Sequence, residues 1–188
     1  RHSTIHVSAD QRYELYLDGD LVSRGPHRSD PNHWAFASYN VHFSAGEHRL
    51  TADVYWWGDW APAAQMSVSP GIILSAEGLE ERLNTGSGAW RAYERPGVEL
   101  LPALEGVYHV VGPGFDVDIT RYESDVEAKA IAVGERIAEN VHGLKTQAHL
   151  FRPSPLPDQV SREVEVPPPT ATHDGDAQGR WQNGDAIG

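Results

Sequence analysis

Residues 12–25 read RYELYLDGDLVSRG, and the way this segment turns sets the fold. Its alternation places Tyr13, Leu15 and Leu17 on one face of an extended chain and Glu14 and Tyr16 on the other. Asp18-Gly19 then supplies the two positive-φ positions of a tight turn, after which DLVSRG leads away, so the segment reads as a β-hairpin. The same pattern recurs further along. YNVHFS (39–44) turns at Ala45-Gly46 into HRLTADVYWW (48–57), where Leu50, Ala52, Val54 and Trp56 share one face and Arg49, Thr51, Asp53, Tyr55 and Trp57 share the other. This is the pattern of a half-buried antiparallel strand, with Trp56 expected in the core and Trp57 facing outwards.

Further strands are expected at 72–76, 89–93, 107–111 and 115–122. Many short strands punctuated by Gly, Asp-Gly and Pro point to an all-β protein with a jelly-roll β-sandwich. One segment reads two ways. In VEAKAIAVGERIAENV (126–141), Val126, Ala130, Val133, Ile137 and Val141 fall at helical spacing, yet Ala128, Ala130 and Ala132 alternate as in a strand, and Gly134 would sit inside any helix. After Phe151 the composition changes, with six of the 13 prolines falling at 153–169 and a Gly/Asp-rich stretch behind them. We therefore expect a sandwich domain over 1–152, and over 153–188 a Pro-rich extension that is a linker or the start of a following domain.

The 188 residues carry 15 basic and 27 acidic side chains, a formal charge of −12. Nucleic-acid affinity rests largely on Lys and Arg displacing counterions, so a nucleic-acid partner is not expected. Without cysteine there is no disulfide, thiolate metal site or cysteine nucleophile. No run of about 18 apolar residues is present, and RHSTIHVSAD has no apolar signal-peptide stretch, so we expect a soluble chain with no membrane partner. Because the sequence begins at Arg1 and its one methionine is Met66, it reads as a piece of a longer polypeptide.

Taken together, residues 12–50 resemble the N-terminal β-sandwich region of bacterial α-L-rhamnosidases of glycoside hydrolase family 78. The resemblance lies in Asp18-Gly19, Arg24-Gly25-Pro26, Arg28-Ser29-Asp30, His33-Trp34, Tyr39-Asn40-Val41 and Ala45-Gly46-Glu47-His48. It extends more loosely over 5–165, through PGIILSAEG (70–78), Trp90-Arg91, FDVDITRYE (115–123) and LFRPSPLPDQ (150–159). Asn40 stands where the family usually has Asp, and His48 where it usually has Asn. The resemblance implies a galactose-binding-like jelly roll and makes 126–134 a strand. It also implies a non-catalytic role beside neighbouring domains of a larger enzyme. In such enzymes the inverting chemistry belongs to two acidic residues of an (α/α)6 barrel that lies C-terminal to the sandwiches. Inversion needs two carboxylates about 6.5–9.5 Å apart. Nothing in this chain resembles that barrel, so no catalytic residue is assigned.

Candidate binding residues are read from the side chains themselves. Trp56, Trp57 and Trp60 are three of six tryptophans in the chain. An exposed indole beside a carboxylate suits a sugar, whose C–H face stacks on the ring while its hydroxyls seek an acceptor. Trp57, Asp59 and Trp60 are therefore carbohydrate-binding candidates, against the alternative that they close the sandwich end or meet another domain. The connection GPHRSDPNHW adds Arg28, Asp30 and Trp34, with a local Arg28–Asp30 salt bridge as the structural alternative. The expected ligand is a rhamnose-containing glycan, bound by an accessory domain or by a stand-alone carbohydrate-binding module. A small β-sandwich hydrolase or lyase is a more distant option, since no ordered triad is legible. No cofactor is assigned. Asp116 and Asp118 share a strand face and could draw calcium, but too few further ligands are identifiable and a solvated face is the leading reading. The ten histidines show no metal-ligand spacing, and there is neither a G-x-S-x-G elbow nor a phosphate loop.

Overall fold

The computed structural model describes residues 1–58, 61, 66–87, 90–101, 114–121, 126–131, 137–139, 145–147, 149–157, 160, 162 and 164–165. Seven strands build the body of the molecule: β1 (His2–Asp10), β2 (Arg12–Leu17), β3 (Asp20–Gly25), β4 (Trp34–His42), β5 (Leu50–Tyr55), β6 (Gly71–Ala76) and, labelled in chain order, β13 (Phe151–Pro153). They form two sheets, one ordered β13-β4-β1-β6 and the other β3-β2-β5. Shorter ladders join β7 (Ala92–Glu94) to β10 (Val126–Ala128), β8 (Val98–Leu101) to β9 (Gly114–Val117), and β11 (Ile137–Glu139) to β12 (Lys145–Gln147). One short helix, α1 (Glu80–Leu83), follows β6. Among the described residues no helix is long and apolar enough to cross a membrane.

The two sheets meet through the alternating side chains that the sequence places on one face. Ile5, Val7 and Ala9 of β1, Val41 of β4, and Leu74 and Ala76 of β6 face Tyr13 and Leu15 of β2 in one buried cluster. Leu17, Leu50 and Ala52 pack against its border. The protein is an all-β sandwich, as its periodicity requires. β1 runs through the middle of its sheet, antiparallel to both neighbours, with Ile5 opposite Tyr39 and Ala76. β13 lies parallel to β4, with Phe151 beside Trp34, and Ser154 N–H donates to Phe36 C=O at 2.8 Å. Contacts with the sandwich thus run on to Ser154.

The hairpin forms as its sequence directs. Asp18 and Gly19 hold φ of 54° and 94°, the pair of left-handed conformations a two-residue turn needs. Asp18 also latches the turn to the start of β5, accepting the Arg49 N–H at 2.8 Å on one carboxylate oxygen and meeting His48 Nδ1 at 2.7 Å with the other.

Three expectations change. Residues 126–141 contain strands at Val126–Ala128 and Ile137–Glu139, in keeping with the strand half of the ambiguous pattern. The strand expected over 115–122 stops at Val117, because Asp118 folds its carboxylate onto the Thr120 N–H and hydroxyl and starts a turn. The strand expected over 89–93 is observed at Ala92–Glu94, while 107–111 falls outside the described residues. Leu15 is fully enclosed between the sheets, so Leu15→Ala should cost about 2–5 kcal/mol in urea unfolding. A loss below about 1 kcal/mol would place the core elsewhere.

A donor-rich cleft as candidate functional site

The chain crosses from the first sheet to the second at Asp10-Gln11, between β1 and β2. Both side chains are buried, although both are polar. The period-two pattern that buries Ile5, Val7, Ala9, Tyr13 and Leu15 calls for an apolar residue at position 11 and finds glutamine. Burial of a polar side chain is costly unless hydrogen bonds compensate.

Asp10 is fully compensated. Its Oδ1 accepts the Ser67 hydroxyl at 2.7 Å, and its Oδ2 accepts the Val68 and Ser69 N–H groups at 2.6 and 2.9 Å and His149 Nε2 at 3.1 Å. Burial by itself would push the carboxyl up, but the bonds from His149, Ser67, Val68 and Ser69 outweigh it and hold the pKa below its ordinary 3.8. His149 in turn sets its ring edge against Trp34, with centroids 4.4 Å apart. One carboxylate therefore ties the β1 end, the 67–69 loop and the approach to β13 together.

Gln11 anchors the tryptophan segment. Its Oε1 accepts the Trp57 N–H at 2.7 Å. Trp57 is half-buried, and the Arg12 guanidinium lies over its ring, 5.4 Å from the centroid, a cation–π geometry. Trp56 departs from expectation, for it is 46% exposed rather than part of the core. Alternation holds only while the β2–β5 ladder lasts, and that ladder ends at Tyr55 opposite Arg12. Beyond it Trp56 folds over Gly58, whose φ is +52° and where an added Cβ would sit 3.1 Å from the indole. The Trp56 Nε1–H reaches the Ser67 hydroxyl at 3.0 Å. Gln11 thus holds Trp57 directly, and Asp10 reaches Trp56 through the Ser67 hydroxyl.

Beside this corner lies a small cleft of about 20 Å³, lined by Gln11, Arg12, His27, Arg28, Trp34 and Met66 among others. Arg28 and Trp34, two of the sequence candidates, meet in it, and Trp57 supports its Arg12 wall. Asp30 takes another course. It accepts the Asn32 N–H at 2.8 Å and lies 3.1 Å from His33 Nδ1, closing its own turn. Its pairing is thus with His33 and not with Arg28. Asp59 and Trp60 fall outside the described residues.

Gln11 and Arg12 are the residues that motif reading missed. The usable signal was a single missed beat in an otherwise strict apolar alternation. Asp116 and Asp118 do not converge with further ligands, and among the described residues no group of three or more His, Asp or Glu side chains could hold a metal ion.

A second constellation has triad-like connectivity. His48 Nδ1 lies 2.7 Å from Asp18 Oδ2, while its Nε2 lies 3.2 Å from both the hydroxyl and the carbonyl oxygen of Ser44. The carboxylate can only accept, so Nδ1 carries a proton, whereas Nε2 can donate to the Ser44 carbonyl or accept from its hydroxyl. Consistently, the Asp18 bond raises the His48 pKa. With both ring nitrogens engaged, the group acts as a clasp between two turns.

No protein-family model matches the sequence, and no characterised protein matches it by sequence. The fold does match the crystal structure of a GH78 family rhamnosidase of Bacillus sp. GL1, at TM-score 0.51 and 18% identity, over 83% of this chain and 17% of that one. The chain therefore spans about a sixth of that protein's length, and at this identity the likeness is one of fold.

Replacing the Asp10 carboxylate tests the corner. Asp10→Asn should destabilise the chain by about 2–4 kcal/mol at pH 7, because it weakens bonds to buried donors. With the folded pKa below the unfolded one, the carboxylate's contribution is complete above the unfolded value and fades as pH falls through the folded value. Urea unfolding should then show the gap between wild type and Asp10→Asn narrowing from pH 7 to pH 3. A gap independent of pH would refute an ionised Asp10.

Proposed function

We propose that this chain is a non-catalytic β-sandwich domain of a rhamnosidase-type glycoside hydrolase, packing beside other domains and touching glycan through the cleft at Arg28 and Trp34. The observation that carries this reading is the chemistry of the cleft wall. Its described lining offers guanidinium, amide, imidazole, hydroxyl and indole groups and no carboxylate. Glycoside hydrolysis by inversion needs two carboxylates facing one sugar. A wall made of donors and an aromatic surface binds oxygen-rich ligands but cannot by itself supply both an acid and a base. The acidic groups of the corner and turns, Asp10, Asp18 and Asp30, are occupied with internal hydrogen bonds.

The outer face of the first sheet favours a neighbour in the intact enzyme. There His6, Phe36, Ile73, Ser75 and Phe151 surround an open depression of about 260 Å³, and Ile73 and Phe151 remain 45% and 37% exposed. Apolar surface of this kind commonly meets another domain.

The chain should release no nitrophenol from 4-nitrophenyl α-L-rhamnopyranoside. Rhamnose-containing oligosaccharides should change its tryptophan fluorescence saturably, and Trp57→Ala should weaken that change about threefold or more. Hydrolysis by the chain, or a flat titration with folded protein, would overturn the proposal.

A further inference from the structure

The geometry points to the carboxylate of a uronic acid as the group this cleft receives, which makes the recognised glycan an acidic one. The inference rests on the glycan-contacting role proposed above and narrows its substrate class.

The orientation of Gln11 starts the case. The Trp57 N–H can only donate, so the oxygen of the Gln11 amide must face it, which fixes which end is Nε2. Gln11 is 4% exposed, and its Nε2 has no hydrogen-bond partner among the described residues. A buried amide nitrogen without an acceptor among the described residues is an uncommon feature, and an acceptor entering from the cleft would satisfy it.

The neighbours fix the kind of acceptor. Arg12 and Arg28 line the same cleft, and among the described residues neither has a carboxylate partner. Elsewhere in the sandwich Arg24 and Arg95 do, on Glu14 and Asp53. Arg12 lies over the ring of Trp57, 5.4 Å from its centroid, with no counter-charge among the described residues. Two guanidiniums with no carboxylate partner among the described residues, beside an amide nitrogen that likewise has no acceptor there, make a donor-rich site inside a chain of net charge −12. Such a set prefers an anion with two oxygens, since a planar carboxylate can take a guanidinium bidentately. Size sets a further limit. About 20 Å³ admits one small polar group but not a pyranose ring, given that a water alone needs roughly 10–15 Å³. The carboxylate therefore enters and the ring stays outside.

The test compares ligands and variants by isothermal titration of the 188-residue chain. The ligands are a rhamnose-containing oligosaccharide bearing a uronic acid, its carboxyl-reduced neutral counterpart, and a neutral sugar bearing a sulfate ester. The inference expects the uronate ligand to bind at least about tenfold more tightly than the neutral one, with affinity falling as salt rises. Arg28→Gln should remove most of that preference. Gln11→Glu keeps the oxygen that holds Trp57 but replaces the donor with a negative charge, and it should remove the preference while the fold survives. Equal binding of neutral and acidic ligands would overturn the inference and leave the glycan-contacting role standing. Tighter binding of the sulfate ester would overturn the carboxylate assignment. No binding of any of the three would overturn both.

Discussion

The corner between β1 and β2 depends on a buried carboxylate that accepts four hydrogen bonds. Ser67, Val68, Ser69 and His149 all donate to Asp10, so one side chain fixes a loop and the approach to β13 at the point where the chain changes sheets. The next residue repeats the device, with Gln11 holding the Trp57 backbone. Sandwich ends are usually closed by apolar side chains. A polar closure is costly unless every donor and acceptor is met, and here Asp10 meets its requirement while the Gln11 amide nitrogen has no acceptor among the described residues. The imbalance falls at the edge of a cleft lined by two arginines, which ties the packing of the fold to the chemistry of its surface.

The body of the sandwich was legible because its information is local and periodic. Tyr13, Leu15 and Leu17 announce a buried strand face, and Asp18-Gly19 announces the turn that the backbone adopts. The resemblance to rhamnosidase sandwiches, carried by a few short motifs, agrees with a structural likeness confined to the fold. Trp56 was not legible, because alternation says nothing once a ladder ends, and the ladder ends one residue before it. The cleft was half legible. Arg28 and Trp34 stand in a loop whose composition draws notice, but Gln11 and Arg12 come from the opposite end of the corner, and tertiary packing brings the four together. Asp30 shows the reverse case, where a suggestive motif serves its own turn.

The proposed function rests on the division between a packed frame and a polar end. The two sheets hold the cleft residues on strand termini and short connections, and the groups proposed to meet a ligand sit on the rim. The carboxylates at the corner and in the turns are used for architecture, so the chemistry left at the cleft is that of a donor surface. On the proposed reading the sandwich would recognise and position glycan, and bond cleavage would belong to a domain built around paired acids.

Hydrogen exchange of the backbone amides of Trp57, Val68 and Ser69 tests the corner most directly. These three groups lie at a strand end and in a loop, where amides ordinarily exchange fast. If Asp10 and Gln11 hold them, all three should exchange as slowly as the amides of β1, and those of Val68 and Ser69 should lose protection in Asp10→Asn while β1 keeps it. Loop-like exchange in the wild-type chain would contradict a corner organised by these two side chains.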